Sequence, residues 1–382
     1  MKKTVTTTTA LSLLAVLGLA GGAAAEIKLG ASISATGPAA FLGDPEAKTL
    51  EMLVEELNAK GGINGEEITL VLYDDGGDPN KARTFATRLV EDDEVAAIIG
   101  GTTTGTSMSI LAVAEDAEIP FISLAGAIDI IDPVKPFTFK TPHTDRMACQ
   151  KIFEDMQKRG FTKIGMISGT DGFGASMQAQ CKAVVGDYGI EIVADETYEP
   201  KDADMTAQLT KIKGTEGVQA IVNPGFGQGP SIVTRNYKQL AIDLPFYQSH
   251  GVASDGFIEL AGADAAEGVR LPGTALLVAD LLAEGDVQKA PVTAYKAAFE
   301  GKFNTPVSTF GGYAHDAFMI MTDAITRAGS AEPAAIRDAI EATSGLAGTT
   351  GVYTFTAEDH LGLDLSAFRM LEIKGGKWTL VE

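Results

Sequence analysis

The sequence has few of the residues from which most catalytic and metal sites are built. It holds four histidines, two cysteines and one tryptophan among 382 residues. The histidines (His143, His250, His315 and His360) are far apart along the chain, and neither a CxxC pair nor a close Cys/His cluster is present. A GxSxG nucleophile elbow is missing as well. We therefore expect no metal, no cofactor and no enzymatic activity. The alternative is an exported hydrolase that uses His250 or His315, because distant residues can meet in a fold.

Long hydrophobic runs are also scarce, and the one that stands out lies near the start of the chain. Residues 10–20 are apolar, follow Lys2 and Lys3, and precede three alanines that end at Ala25. The run is shorter than the roughly 20 residues that cross a bilayer, and the alanines are typical of a signal-peptidase site. We interpret residues 1–25 as a signal peptide cut after Ala25 and place the mature protein in the periplasm.

The sequence has few positively charged residues. It contains 30 lysines and arginines and 51 acidic residues, which gives a formal net charge of −21. Such a surface repels phosphate backbones, so we expect no nucleic-acid partner. The overall charge says little about a small ligand, since a local site can oppose it. A chain this long exceeds the roughly 250–300 residues at which single hydrophobic cores stop growing, which favours two lobes.

The two cysteines, Cys149 and Cys181, fall on two successive predicted helices, residues 146–159 and 175–188. Cysteines of an exported protein can pair in the oxidising periplasm. A disulfide also requires Cα atoms within about 7 Å of each other. The sequence alone does not give this distance. A disulfide and two buried thiols both remain open.

Short β-rich runs alternate with helical stretches from residue 26 onward. Such alternation predicts βαβ units with parallel sheets, and right-handed crossovers place helices on both faces of each sheet. We therefore expect an α/β fold with two Rossmann-like lobes. The C-terminal stretch differs and predicts antiparallel strands at residues 352–355, 368–373 and 377–381. The other predicted strands are residues 27–33, 68–73, 96–99, 120–123, 163–168, 190–196 and 218–223.

Residues 98–107, with the sequence IIGGTTTGTS, follow a predicted strand and open a helix predicted over 107–117. Their spacing resembles a phosphate-binding P-loop, but Thr106 replaces the lysine, so nucleotide hydrolysis is not expected. The free backbone N–H groups and the positive end of the helix can still bind an anion, and threonine hydroxyls add donors. We expect a carboxylate to bind here. A plain threonine N-cap is the alternative.

Two further glycine-rich loops each carry one aromatic residue. Residues 168–174 contain Phe173 and residues 223–230 contain Phe226, and each loop follows a predicted strand. The second loop is not a GxGxxG dinucleotide fingerprint, because its third glycine comes one place early and Pro230 follows. Each ring is either a wall of a ligand site or part of the core.

Several segments, in order along the mature chain, together resemble the leucine/isoleucine/valine-binding protein family of type I periplasmic binding proteins. The segments are KLG (28–30), SATGP (34–38), GGING (61–65), YDDGGDP (73–79), IGGTTT (99–104), DGFG (171–174) and FGGYAHDA (310–317).

The resemblance implies two lobes joined by three crossovers. The lobes open and close around a ligand. It also implies delivery of that ligand to an ABC permease driven by ATPase subunits. We place lobe one at residues 26–142 and 273–347 and lobe two at 143–272 and 348–382, and we expect a monomer.

The resemblance also implies which residues meet the ligand. In relatives that bind amino acids, the carboxylate lies on the loop that matches Thr103 and Thr104, and the end of the next strand, from Ala125 to Ala127, offers backbone groups. The opposite lobe supplies aromatic side chains, and a carboxylate usually holds the ligand ammonium. Here Phe173 and Phe226 match the aromatic positions, and His250 occupies the place of that carboxylate.

His250 bears on which of two kinds of acid is the ligand. A buried ammonium without a partner costs several kcal/mol, whereas a histidine more naturally donates to an anion or a carbonyl oxygen. We therefore expect an aromatic or 2-oxo carboxylate rather than an amino acid. An amino acid held by another acidic residue is the alternative for the ligand. A ligand-binding subunit for chemosensing and a purely structural secreted protein are alternatives for the function.

Overall fold

The structure is a computed structural model that describes residues 26–381. The predicted signal peptide, residues 1–25, lies outside the described residues. Among the helices of residues 26–381, none is long and apolar enough to span a membrane.

The first of two large sheets is entirely parallel, as the alternation of strands and helices predicted. Four of its strands are short and almost fully buried, which is usual for parallel sheets covered by helices, whereas the edge strand at residues 68–74 is half-buried. In spatial order they are β2 (Ile68–Asp74), β1 (Ile27–Ile33), β3 (Ala97–Gly100), β4 (Phe121–Ser123) and β5 (Thr138–Lys140).

The second sheet has seven strands and is mixed. Its core is parallel, while β13 runs antiparallel to both β10 and β14, so the two last antiparallel strands predicted from the sequence are confirmed. In spatial order the strands are β14 (Lys377–Leu380), β13 (Arg369–Lys374), β10 (Arg270–Gly273), β9 (Phe246–Gln248), β8 (Ala220–Asn223), β6 (Lys163–Gly169) and β7 (Glu191–Tyr198). A separate antiparallel pair consists of β11 (Ser344–Ala347) and β12 (Val352–Thr354).

Twelve α-helices in the described residues cover the two sheets. They are α1 (Ala40–Ala59), α2 (Pro79–Glu91), α3 (Thr104–Asp116), α4 (Asp145–Lys158), α5 (Gly172–Val184), α6 (Thr206–Gly214), α7 (Gln228–Gln239), α8 (Asp255–Ala261), α9 (Ala263–Ala266), α10 (Lys289–Phe303), α11 (Thr309–Ala328) and α12 (Pro333–Glu341). The third helix begins at Thr104, three residues before the predicted start.

The chain passes between the sheets three times. It leaves the first sheet after Lys140, returns to it after Gly273, where α11 packs along α1, and enters the second sheet again at β13. Before that last passage the chain lies beside the first sheet, since the rings of Phe139 and His360 stack with centroids 4.1 Å apart. The residue boundaries of the two lobes stay a prediction.

Cys149 on α4 and Cys181 on α5 form a disulfide, with Cα atoms 5.1 Å apart. Both side chains are fully buried. Of the two alternatives that the sequence left open, the structure therefore has the disulfide, which ties together two neighbouring helices of the second lobe.

Candidate ligand-binding site

A cavity with a volume of about 40 Å³ lies between the two sheets, at the carboxyl ends of their parallel strands. This is the position at which open α/β sheets bind ligands, because the loops that follow the strands meet there. Its walls include loops that follow β3 and β4 of the first sheet and β6, β8 and β9 of the second. Loops of both lobes therefore line one cavity.

Six of the seven residues predicted for the site line this cavity: Thr103, Thr104, Ala125, Phe173, Phe226 and His250. Four of these, the two threonines and the two phenylalanines, also border a larger outer cleft, so they stand between the cavity and the solvent. The structure thus brings the six together, while their contact with a ligand stays a prediction.

Ala127 is the exception, because its side chain does not reach the cavity. It is fully buried and immediately precedes a 3-10 helix, Ile128–Ile130. Its backbone carbonyl accepts a hydrogen bond from Lys140 Nζ at 3.3 Å. The resemblance implies only a backbone contact of Ala127 with a ligand, and that contact stays a prediction.

The two threonines at the start of α3 have different roles. Thr103 is the N-cap: its Oγ1 accepts from the Thr106 backbone N–H at 3.2 Å, and Thr106 Oγ1 accepts in return from the Thr103 N–H at 3.0 Å. Such a reciprocal capping box stabilises the helix start. Thr104 Oγ1, in contrast, is buried and has no hydrogen-bond partner among residues 26–381. Thr104 thus keeps a hydroxyl for a ligand.

Glycine is required where the backbone turns from β3 into this threonine loop. Gly101 has a φ of +68°, a conformation that side chains other than glycine rarely adopt. A Cβ at this position would also lie 2.4 Å from Ser107 Oγ. The tight turn packs the loop against the first turn of α3 and so aims Thr104 at the cavity.

The two lobes touch around the cavity. A methyl group at Gly126 of the first lobe would lie 2.7 Å from Phe173 Cε2 and 3.0 Å from His250 Nε2 of the second. Phe173 packs edge-to-face against both Phe226 and His250, with ring centroids 6.3 Å and 5.3 Å apart. The rings therefore form a wall that closes over the loops of the first lobe.

His250 is a buried, neutral side chain. Burial, followed by the positive charge of Lys140, lowers its pKa to about 3. The backbone of His143 acts weakly in the opposite direction, but neither ring nitrogen of His250 has a well-formed hydrogen bond to residues 26–381. A neutral imidazole has one donor and one acceptor nitrogen, so His250 can donate to a ligand oxygen.

One side of the cavity was not predicted from the sequence and is supplied mainly by α1, α11 and the ends of β3 and β4. The added residues are Leu42, Thr102, Leu124, Gly126, Pro142, Gly251, Phe310 and Tyr313. Tyr313 is 2% exposed, and its hydroxyl has no partner in the described residues. The FGGYAHDA segment that contributed to the family resemblance contains both Phe310 and Tyr313, and their spacing of three on one helix was the available signal.

One acidic group next to the cavity is Glu46 on α1, which bonds to Thr102 of the lining. Thr102 Oγ1 donates to Glu46 Oε2 at 2.6 Å, and the Glu46 side chain is fully buried. Burial raises its pKa well above the usual range, with an opposing effect of the Thr102 hydrogen bond. The uncharged form of the carboxyl group is therefore favoured. Among the described residues that line the cavity, none is Asp or Glu.

Comparison with known proteins agrees with this architecture. The family model described as periplasmic binding protein matches residues 26–377. The chain belongs to the periplasmic binding protein family. In Pseudomonas aeruginosa, a relative named leucine-, isoleucine-, valine-, threonine-, and alanine-binding protein is 28% identical over 325 residues, which cover 84% of each chain.

Solved structures of other binding proteins match this one over nearly its whole length. An extracellular ligand-binding receptor from Rhodopseudomonas palustris HaA2 has a TM-score of 0.87 and 28% identity, covering 94% of this chain and 100% of its own. The branched-chain amino acid transporter substrate-binding protein LivJ from Streptococcus pneumoniae, solved with isoleucine, has a TM-score of 0.83 and 26% identity, covering 94% and 99%. The family resemblance and the type I fold predicted for this binding protein are therefore confirmed.

Proposed function

We propose that the protein is a non-catalytic receptor of the periplasm that captures a small organic acid and delivers it to an ABC permease. The main support is a set of three buried polar groups around one apolar cavity: Thr104 Oγ1, the His250 ring and the Tyr313 hydroxyl, none with a partner in the described residues. A buried polar group left unsatisfied costs about 1–3 kcal/mol. Oxygens of a bound ligand would satisfy these groups.

The charges around the cavity favour a ligand without an ammonium group. The lining has no acidic side chain in the described residues, and His250 is neutral with Lys140 nearby. A zwitterionic amino acid would bury its ammonium without an anionic partner, at a cost of several kcal/mol. An aromatic or 2-oxo carboxylate avoids that cost, and the rings of Phe173 and Phe226 suit its apolar part.

An amino acid is the second candidate, because the relative from Pseudomonas aeruginosa is named for binding amino acids and LivJ was solved with isoleucine. Glu46 is a buried acid that bonds to Thr102 of the cavity lining. It would have to ionise and become accessible past Thr102 to serve as the ammonium partner.

Ligand capture is proposed to work by closure. Thr104 belongs to the first lobe and His250 to the second, so a ligand that touches both binds the closed arrangement more tightly than an open one. Such differential affinity shifts the population toward the closed state. The permease would recognise that state. The same proposal includes export by a signal peptide that ends at Ala25.

Isothermal titration calorimetry with benzoylformate, phenylpyruvate, benzoate and leucine tests this function. We expect one acid molecule bound per chain, without turnover, and much weaker binding of leucine. Thr104→Val should weaken binding of the acid by about tenfold, the equivalent of one hydrogen bond to a charged group. Thr84→Val is the control, because the exposed Thr84 hydroxyl bonds only to the Asn80 carbonyl of its own helix.

Two outcomes would contradict the proposal in different parts. Micromolar binding of leucine together with no binding of the acids would overturn the ligand class and keep the receptor. Hydrolysis of an ester or amide by the purified protein, lost in His250→Gln, would instead support the exported hydrolase.

A further inference from the structure

A fully buried lysine lies beside the cavity without an ion-pair partner. Lys140, the last residue of β5, has no exposed surface. Its Nζ donates to three backbone carbonyls, those of Gly126 at 2.9 Å, Ala127 at 3.3 Å and His143 at 3.4 Å. Within residues 26–381 no carboxylate lies within 4 Å of it. Among the described residues, the Lys140 amine therefore donates hydrogen bonds only to peptide carbonyls.

The groups that face Lys140 come from three neighbouring elements. Asp145 on α4 is the nearest acid, but its carboxylate already accepts from the Ile128 and Arg146 backbone N–H groups and from Ser176. Burial lowers the pKa of Lys140 to about 7, and Asp145 only partly opposes this shift. His143, from the adjoining loop, and His250 both have lowered pKa values, and Lys140 contributes to each shift.

Lys140 is connected to the cavity through one peptide group. Gly126 lines the cavity, and its carbonyl accepts from both Lys140 Nζ and the Asp145 N–H, at 2.9 Å and 3.0 Å. The Gly126–Ala127 peptide is trans, so the Ala127 N–H points away from that carbonyl. A cation bound to the carbonyl polarises the peptide and makes the N–H a stronger donor.

We propose that Lys140 supplies the positive charge against which the ligand carboxylate binds, acting through the peptide between Gly126 and Ala127. The inference rests on the proposed capture of an organic acid. Lys140 is in this sense a positioning residue, since it need not touch the ligand. It selects acids with a net negative charge over zwitterions, and it couples ligand binding to protonation.

The direction of the coupling follows from reciprocity between proton and ligand. Without ligand, Lys140 is close to half protonated near pH 7. A carboxylate bound nearby favours the charged amine and raises its pKa, so binding takes up a proton at and above neutral pH. Affinity is therefore highest below pH 7 and falls as the pH rises, by at most about tenfold per unit for a single proton. His143 and His250 stay neutral over this range.

Calorimetry with benzoylformate measures this coupling in the unmodified protein. At pH 7.5, titrations in phosphate and in Tris, whose heats of ionisation differ, give the number of protons taken up. We expect a substantial fraction of one proton, and an affinity at pH 9 that is about tenfold or more below that at pH 6. This measurement does not depend on any variant folding correctly.

Lys140→Met should lower the affinity for benzoylformate about tenfold at pH 6 and flatten its pH dependence. Lys135→Met is a matched control, because Lys135 Nζ also donates to three backbone carbonyls, those of Asp129, Ile130 and Pro133, at 3.0–3.2 Å. Lys135 does not line the cavity, so its variant should keep both the affinity and the pH profile.

The outcomes separate this inference from the proposed function. Tight binding of benzoylformate without proton uptake would overturn the role of Lys140 and leave the receptor intact. Full pH dependence in Lys140→Met would assign the proton to another group, such as Glu46, and would also overturn it. Failure of every organic acid to bind would refute the proposed function itself.

Discussion

Gly126 and Phe173 meet across the gap between the lobes, so closely that a methyl group on Gly126 would lie 2.7 Å from Phe173 Cε2. Real carbon contacts do not come this close, so any side chain at residue 126 would push the ring or hold the lobes apart. The ring itself is confined by Phe226 and His250. Closure of the site therefore depends on the absence of a single methyl group.

Gly126→Ala should weaken binding of the ligand by roughly tenfold to a hundredfold, because forcing a methylene into a packed contact costs about 1–3 kcal/mol. The loss should appear in the closed, ligand-bound state, so thermal unfolding of the free protein should change much less. Calorimetry and differential scanning calorimetry measure the two effects. Gly301→Ala is the control, because a methyl group there meets no other atom within 4 Å. Equal affinities for Gly126→Ala and the unmodified protein would contradict a closed binding state with this contact.

From the buried hydroxyl of Tyr313 we predict a second polar group on the ligand. Thr104 and His250 can both serve one carboxylate, whereas the Tyr313 hydroxyl comes from α11 and is also buried without a partner in the described residues. A 4-hydroxy derivative of benzoylformate should therefore bind about threefold to tenfold more tightly than benzoylformate, the equivalent of one net hydrogen bond.

Tyr313→Phe should abolish that preference while it retains binding of benzoylformate. Tyr295→Phe makes the same chemical change at a buried hydroxyl that already bonds to Thr49 Oγ1 at 2.7 Å and does not line the cavity. It should leave the preference unchanged. If Tyr313→Phe still binds the 4-hydroxy acid more tightly than benzoylformate, the Tyr313 hydroxyl does not bond to the ligand hydroxyl.

Much of the backbone architecture was predictable because the signals for it are local. The strand predicted at residues 27–33 matches β1, and the predicted helix at 146–159 matches α4 to within one residue. Short buried apolar runs between helices, bounded by glycine or polar turns, suffice for this. The loops that follow such strands then identify Thr104 and Phe173, because strand ends gather at one edge of a sheet.

The rest of the site depends on contacts between segments far apart in sequence. Leu42 and Tyr313 reach the cavity only because α1 packs along α11. Lys140 is an ordinary lysine in the sequence, and its burial against the carbonyl of Gly126 results from the position of β5 in the sheet.

The buried histidines predict how stability depends on pH. The pKa of His250 is about 3 in the folded protein and close to 6.5 in an unfolded chain. Between these values the unfolded state binds more protons, so this residue makes the folded state less stable as the pH falls from 6.5 toward 3. The pKa of His143 is also lowered, mainly by burial and then by His250, and acts in the same direction.

His250→Gln isolates the first of these contributions. Each pH unit is equivalent to about 1.4 kcal/mol for one group. Between pH 6.5 and 4.5 the variant should therefore lose roughly 2 kcal/mol less of its unfolding free energy than the unmodified protein. Urea denaturation of the ligand-free protein at the two pH values measures the difference. The contribution of the carboxylates to the pH dependence cancels in this comparison, because they titrate in both proteins. Identical losses would show that His250 is protonated at the same pH in the folded and unfolded states.

The disulfide between Cys149 and Cys181 should contribute to stability and not to ligand binding. It closes a segment with a sequence separation of 32, for which the loss of chain entropy in the unfolded state predicts about 3–4 kcal/mol. The double variant Cys149→Ala, Cys181→Ala should therefore unfold at a lower urea concentration by that free energy. Its affinity for benzoylformate should stay within about twofold, because neither cysteine lines the cavity. An affinity that fell together with stability would show that the bond also holds Phe173, at the start of α5, in its position over the site.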